Sequence, residues 1–221
     1  LVGFCGFFPL VVMTPLAGWL TSRFGRRRLC NACVLGFGVA SLGCGLADSL
    51  AELVLFRVLQ GAIGAPLVPL SQAIVLDTYP KHRHGVVIAL FGMGSVLGPI
   101  VGPMAGGWLA EAYNWRWVFY MIVPFSLLAL VGTLAFIHDR EPGSKVRLDW
   151  LGFLMLSVAL ASTQLMLDRG ERADWFDSAE IVAWAALAGL ALYSFIVHSA
   201  TTPRPFLDPR LLADRNFTIG I

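Results

Sequence analysis

Seven apolar segments of helix length recur along the chain, and they constrain its fold more than any other feature. They cover residues 1–20, 29–47, 52–75, 85–111, 116–137, 149–167 and 181–199. At about 1.5 Å per residue, a helix of this length crosses a hydrocarbon layer about 30 Å thick. A membrane β-barrel would need alternating apolar and polar residues instead, and the sequence lacks that pattern. We therefore predict an all-α, polytopic transmembrane helical bundle.

The composition excludes a soluble globular domain. Hydrophobic residues make up 57% of the chain and charged residues only 14%, whereas soluble domains carry about 25% charged residues. The chain begins inside an apolar segment and ends in residues 216–221, which have the composition of a further span. From this pattern we expect a fragment of a longer protein embedded in a lipid bilayer.

The distribution of lysine and arginine predicts the orientation in the membrane. Twelve of the 16 lie in the loops after the first, third, fifth and seventh segments, and three lie in the other loops. By the positive-inside rule, the basic loops face the cytoplasm. The net charge of +2 thus reflects topology, and it gives no reason to expect a nucleic-acid partner.

A glycine–proline stripe occupies the fourth apolar segment. Its glycines fall every fourth residue, and its two prolines repeat the same step. The stripe consists of Gly94, Gly98, Pro99, Gly102, Pro103, Gly106 and Gly107. Glycines at this spacing line one helix face and allow another backbone to come close. Each proline lacks an amide hydrogen, so we expect the helix to bend or loosen there.

No pattern in the sequence indicates an enzyme, a metal site or a bound cofactor. Cys30 and Cys33 form a Cys-x-x-Cys pair at the start of a span, without a second pair or a nearby histidine. We interpret them as small packing residues. A nucleophile elbow, a phosphate-binding glycine loop and a His-Glu-x-x-His motif are all missing from the sequence.

Three motifs follow one another in matching positions. The first loop reads Gly-x-Leu-x-x-Arg-x-Gly-Arg-Arg from Gly18, the third segment contains Arg57-Val-Leu-Gln-Gly61, and the stripe contains Gly98-x-x-x-Gly-Pro-x-x-Gly-Gly107. Together they resemble the loop, fourth-helix and fifth-helix motifs of the major facilitator superfamily. Trp115-Arg-Trp-Val-Phe119 resembles its EmrB/QacA-type branch of fourteen-span drug:proton antiporters.

The resemblance implies a partial chain of the major facilitator fold, running from span two into span nine. Residues 1–138 would form most of the N-terminal transmembrane bundle, with spans two to six. Residues 139–199 would be a cytoplasmic linker and two inserted spans, and residues 200–221 a cytoplasmic loop with the start of span nine.

The resemblance also implies a function. It implies proton-coupled efflux of hydrophobic or cationic drugs across the bacterial inner membrane by alternating access. It implies a periplasmic adaptor protein and an outer-membrane channel as partners. Two alternatives stay open: an exporter of one metabolite, such as a siderophore or lipid precursor, and a non-transporting membrane scaffold or receptor.

By resemblance, Arg57 and Gln60 serve proton coupling. A fixed positive charge favours the ionised form of a nearby carboxylate and so expels its proton. Gln60, Gly61 and Gly64 share the helix face of Arg57, so we expect that face to pack inward with the two glycines as packing residues. Snorkelling of Arg57 to the outer interface is the alternative.

A cytoplasmic gating loop is also implied, with Gly18, Arg23, Gly25 and Arg26. Gly25 can take the positive φ that a tight hairpin needs. Ser22 stands where the family motif usually has an acidic residue. We therefore expect Asp77 to replace that carboxylate by pairing with Arg23 or Arg26.

Overall fold

The described residues are mostly helical and contain no strand. The computed structural model describes Pro9 and residues 12–137, 148–202 and 205–206. Contacts divide the chain into two compact units, Leu1–Lys145 and Val146–Ile221. The predicted all-α class is confirmed.

The helices reproduce the apolar segments. The first unit contains α1 (Ala17–Phe24), α2 (Arg26–Leu46), α3 (Leu50–Gly64), α4 (Leu67–Thr78), α5 (His84–Ala112), α6 (Trp117–Tyr120) and α7 (Ile122–Phe136), and the second contains α8 (Trp150–Gly170) and α9 (Ala179–Thr201). Within the described ranges, six segments are long and apolar enough to span a membrane. Half of the predicted segment 1–20, and all of 216–221, lie outside the described residues.

Prolines divide two of the six spans into shorter helices. The span Leu50–Thr78 is interrupted between α3 and α4, where Pro66 has no amide hydrogen for the carbonyl four residues earlier. The span Trp117–Phe136 is interrupted at Met121, and Pro124 likewise cannot donate to Tyr120. The apolar pattern predicted both spans as continuous, because hydropathy does not register backbone hydrogen bonds.

Helix α2 lies at the centre of the first unit, in contact with α1, α3, α4, α6 and α7. Its glycines allow these close approaches. A Cβ on Gly43 would lie 2.5 Å from the Phe56 ring, and a Cβ on Gly45 would overlap the Tyr120 ring. The tightest glycine contacts in the described structure are therefore on α2 and not in the stripe on α5.

A hairpin joins α1 to α2 through a single residue. Gly25 has φ 81°, which is the positive value that the predicted tight turn requires. Beneath the turn, Leu29 and Cys33 pack against Leu70. Cys30 and Cys33 are both buried, which agrees with their interpretation as packing residues.

The second unit is a helical hairpin. Helices α8 and α9 pack along each other, and the turn between them contains two 3₁₀ segments, Glu171–Ala173 and Trp175–Asp177. Arg169 donates a 2.5 Å hydrogen bond to Glu180 across this turn. The pairing holds the two helices together at the end opposite to Asp149 and Thr202.

Candidate functional site

Arg57 lies in the middle of α3 and its guanidinium is held by two groups. Its Nη1 donates to Oε1 of Gln60 at 3.1 Å. The guanidinium carbon lies 4.6 Å from the centroid of the Phe119 ring, which is a cation–π geometry. Gln60 is one turn further from the outer end of α3 than Arg57, so the side chain is directed into the bundle and does not snorkel outward.

The face of α3 that carries Arg57 packs inward, as predicted. Gln60, Gly61 and Gly64 are all buried. The Gln60 amide donates a 2.5 Å hydrogen bond to the hydroxyl of Ser41 on α2. Ser41, Gln60 and Arg57 thus form a polar chain inside an otherwise apolar contact between two helices.

One donor of Arg57 has no acceptor in the described part of the chain. The Nε atom is buried and makes no hydrogen bond there, and no ion pair between described residues involves Arg57. A buried donor without a partner is costly in an apolar environment. The guanidinium can therefore accommodate one more acceptor while it keeps its contacts with Gln60 and Phe119.

The outer end of α2 is tied to the start of α6. The Arg116 guanidinium donates to the carbonyl of Gly45 at 3.3 Å and to the Asp48 carboxylate at 3.0 Å. The Tyr120 hydroxyl donates to the same Gly45 carbonyl at 2.8 Å. These bonds satisfy a carbonyl at the helix end, and they hold the four residues of α6 against α2.

The predicted gating residues come together in part. Arg26 forms an ion pair with Asp77, and both side chains are about 40% exposed. Arg23 instead places its guanidinium 5.3 Å from the Trp19 ring. The hydroxyl of Ser22 donates to the backbone carbonyl of Trp19 in the same helix. Of the two predicted partners, Arg26 is thus the one whose ion pair with Asp77 is seen among the described residues, and Gly18 is exposed.

Replacing Asp77 with asparagine is expected to change the balance between inward-facing and outward-facing states of the full-length protein. A half-exposed ion pair contributes up to about 1 kcal/mol, so the shift should be about fivefold or less, and efflux should slow by a similar factor. Accessibility of single cysteines on the two membrane faces measures the balance. Glu111→Gln, at an exposed position, serves as the control, and an Asp77→Asn variant indistinguishable from it contradicts the gating role.

The glycine–proline stripe faces away from the described residues. A Cβ on Gly94, Gly98, Gly102 or Gly107 would meet nothing within 4 Å. Gly106 is buried, and a Cβ there would lie 3.6 Å from Val118. Helix α5 stays α-helical through Pro99 and Pro103, so the predicted loosening does not break it.

In the second unit, a partly buried carboxylate joins the start of α8 to the end of α9. Asp149 accepts hydrogen bonds from the Gly152 amide at 3.0 Å, from His198 Nε2 at 2.9 Å and from the Phe206 amide at 3.2 Å. Burial opposes its ionisation, but the Gly152 and His198 hydrogen bonds outweigh burial and hold the pKa of Asp149 below its usual value. Asp149 therefore caps α8 while it fixes the end of α9.

Asp149→Asn is expected to lower the melting temperature at neutral pH and to have less effect in acid. Because the folded-state pKa is depressed, the stabilisation by the carboxylate is present above its usual pKa and is lost as pH falls through the folded value. Loss of the charged cap should cost about 1 kcal/mol at pH 7. Melting curves of the purified full-length protein between pH 7 and pH 3 test this, with the exposed Asp168→Asn as control. A difference that stays constant with pH contradicts the role of the charge.

Sequence reasoning did not identify Phe119, Ser41 or Asp149. Ser41 carried a weak signal, as a polar residue inside an apolar segment. Asp149 precedes an apolar segment, where an N-cap is common. Phe119 belongs to the Trp115–Phe119 motif of the family resemblance, but that motif did not indicate a contact with Arg57.

Comparison with known proteins agrees with this geometry. The family model of the Major Facilitator Superfamily matches residues 1–209. The multidrug export protein EmrB of Escherichia coli (strain K12) is 38% identical over 210 residues, which are 95% of this chain and 41% of that protein. The fatty acid resistance protein FarB of Neisseria gonorrhoeae is 38% identical, with the same coverage.

The multidrug resistance protein B homolog of Mycobacterium tuberculosis (strain ATCC 25618 / H37Rv) is 40% identical over 213 residues, 93% of this chain and 38% of that protein. The chain thus spans about two fifths of the length of the curated relatives it matches. A family model that covers nearly the whole chain, six helices long and apolar enough to span a membrane, and the bacterial relatives together establish a multi-pass protein of the bacterial inner membrane. The chain belongs to the major facilitator superfamily.

Proposed function

We propose that the chain is part of a proton-coupled exporter that works by alternating access. In this proposal residues 1–138 supply most of the N-terminal bundle. Residues 139–199 supply the linker and two inserted spans, and residues 200–221 lead into the next span. The relatives named as multidrug exporters support efflux, and membership in a transporter family argues against an enzyme.

The observation that carries the proton-coupling proposal is Arg57. A charged residue inside a span is costly, and it usually serves a function or has a partner. Here the guanidinium is held by a ring and an amide, while its Nε lacks an acceptor within the described structure. A carboxylate that approached this donor would be driven to release its proton. Gln60 positions the guanidinium for that exchange.

For the substrate, we propose hydrophobic or cationic compounds, with protons moving inward as they move out. The name of the gonococcal relative, a fatty acid resistance protein, favours a second candidate: export of one class of amphipathic metabolite. As partners we propose a periplasmic adaptor protein and an outer-membrane channel, through which the compound would leave the cell in a host with two membranes.

Efflux by the full-length protein in reconstituted vesicles tests the proposal. An imposed pH gradient should drive transport of a lipophilic cationic dye, and collapse of the gradient with a proton ionophore should stop it. A parallel assay with a fatty acid distinguishes an exporter of many compounds from an exporter of one class of amphipathic metabolite. Transport that ignores the gradient contradicts antiport, and no transport of any compound favours a scaffold or receptor.

A further inference from the structure

We infer that Phe119 is a positioning residue for Arg57, and that its ring holds the guanidinium in place without neutralising it. This inference rests on the proposed role of Arg57 in proton coupling. In the sequence, Phe119 stood out only as the last residue of the Trp115–Phe119 motif, which assigned it no role. The structure places its ring against the guanidinium of Arg57, in the middle of α3.

The position of the Phe119 ring is itself fixed. The side chain is only 5% exposed. Its ring meets the Trp115 ring edge-on, at 6.0 Å and 90°. The helix that carries it is four residues long and ends at the break before Pro124. Bonds from Arg116 and Tyr120 to Gly45 hold that helix against α2. Phe119 therefore presents a rigid surface to α3.

The chemistry of a ring suits this task better than that of a counterion. A carboxylate beside Arg57 would cancel most of its charge and occupy its donors. The face of an aromatic ring attracts a guanidinium through its quadrupole and leaves the net charge and the N–H groups intact. Arg57 consequently keeps a full positive charge and a vacant Nε donor in a defined place.

The other titratable or charged groups at this end of the bundle already have roles of their own. Cys44 on α2 is fully buried. Glu52 accepts from the Asp48 amide at the start of α3, and Tyr120 donates to Gly45. Arg116 pairs with Asp48. Within the described structure, Gln60 and Phe119 are therefore the groups that orient the Arg57 side chain.

The test is the pH dependence of gradient-driven dye efflux by the full-length protein. Phe119→Leu keeps an apolar side chain but removes the ring face. We expect it to move the pH of half-maximal efflux by about half a unit or more. Phe119→Tyr keeps the aromatic ring face, so the pH of half-maximal efflux should stay at the wild-type value. Phe125→Leu, at a ring that is 66% exposed on α7, is the control. If Phe119→Leu does not reach the membrane, Phe119→Met replaces it.

A double-mutant comparison separates positioning from packing. In an Arg57→Lys background the planar guanidinium is gone, so Phe119→Leu should cause no further shift of the midpoint. An unchanged midpoint in the Phe119→Leu single variant, or an equal shift in both backgrounds, overturns the inference while wild-type antiport stands. Absence of gradient-driven efflux in the wild type overturns the proposed function itself, and the Phe119 role with it.

Discussion

Arg57→Ala is expected to reduce gradient-driven efflux by the full-length protein by about a hundredfold or more, with the dye still binding. Removing one partner of a buried charge interaction typically costs about 3 kcal/mol or more, which corresponds to a factor of about a hundred. In this structure the guanidinium is the charged end of the chain that runs through Gln60 to Ser41. Its loss removes the group that would expel the proton, so coupling should fail before substrate binding does.

The measurement is the initial rate of dye efflux with and without an imposed pH gradient, alongside dye binding at equilibrium. Arg57→Lys should retain partial activity, because it keeps the charge but loses the planar stack on Phe119. Arg172→Ala, on the exposed turn between α8 and α9, is the matched loss of one arginine and should transport normally. An Arg57→Ala protein that still responds to the gradient excludes this residue from coupling.

Gly98→Leu and Gly102→Leu are each expected to reduce the rate of exchange tenfold or more, while the protein still folds and inserts. A Cβ at either position meets nothing within 4 Å in the described residues. Leucine is also a better helix former than glycine, by about 1 kcal/mol. The first unit should therefore tolerate the substitutions. Their effect would arise where the open face of α5 meets a further part of the full-length protein, which we propose is the other half of the transporter.

Two control substitutions test whether the effect depends on where the leucine side chain is added. Gly132→Leu adds the same side chain at an equally open position on α7 and should leave transport unchanged. Gly43→Leu adds it against the Phe56 ring and should lower the melting temperature and the yield of folded protein. Melting temperature and efflux rate are measured for all four variants. Normal transport by Gly98→Leu and Gly102→Leu would leave the stripe with a packing role alone.

Local features of the fold were predictable from the sequence. The segment 85–111 predicted α5, which extends over His84–Ala112, because long apolar segments form helices in a membrane. The hairpin at Gly25 was predictable because a one-residue turn needs a positive φ. The sequence predicted that Asp77 pairs with Arg23 or Arg26, and in the structure Asp77 forms an ion pair with Arg26.

Features that depend on contacts between helices were not predictable in the same way. The sequence directed attention to the glycines of α5, but the tight glycine contacts are on α2, against Phe56 and Tyr120. Spacing within a helix shows which residues share a face. It does not show which other helix that face meets, and only a packed structure contains that information.

The sequence by itself determined that this protein crosses the membrane several times and that Arg57 lies on an inward face with Gln60, and it predicts which loops face the cytoplasm. Hydropathy, charge and helix period are properties of single segments, so each can be evaluated from the sequence without knowing how the segments pack. The tertiary structure alone decided that the Arg57 guanidinium rests on Phe119 and that Gln60 reaches Ser41. Those contacts join different helices, and their geometry depends on the break at Met121 and on the Gly45 carbonyl that holds α6 in place.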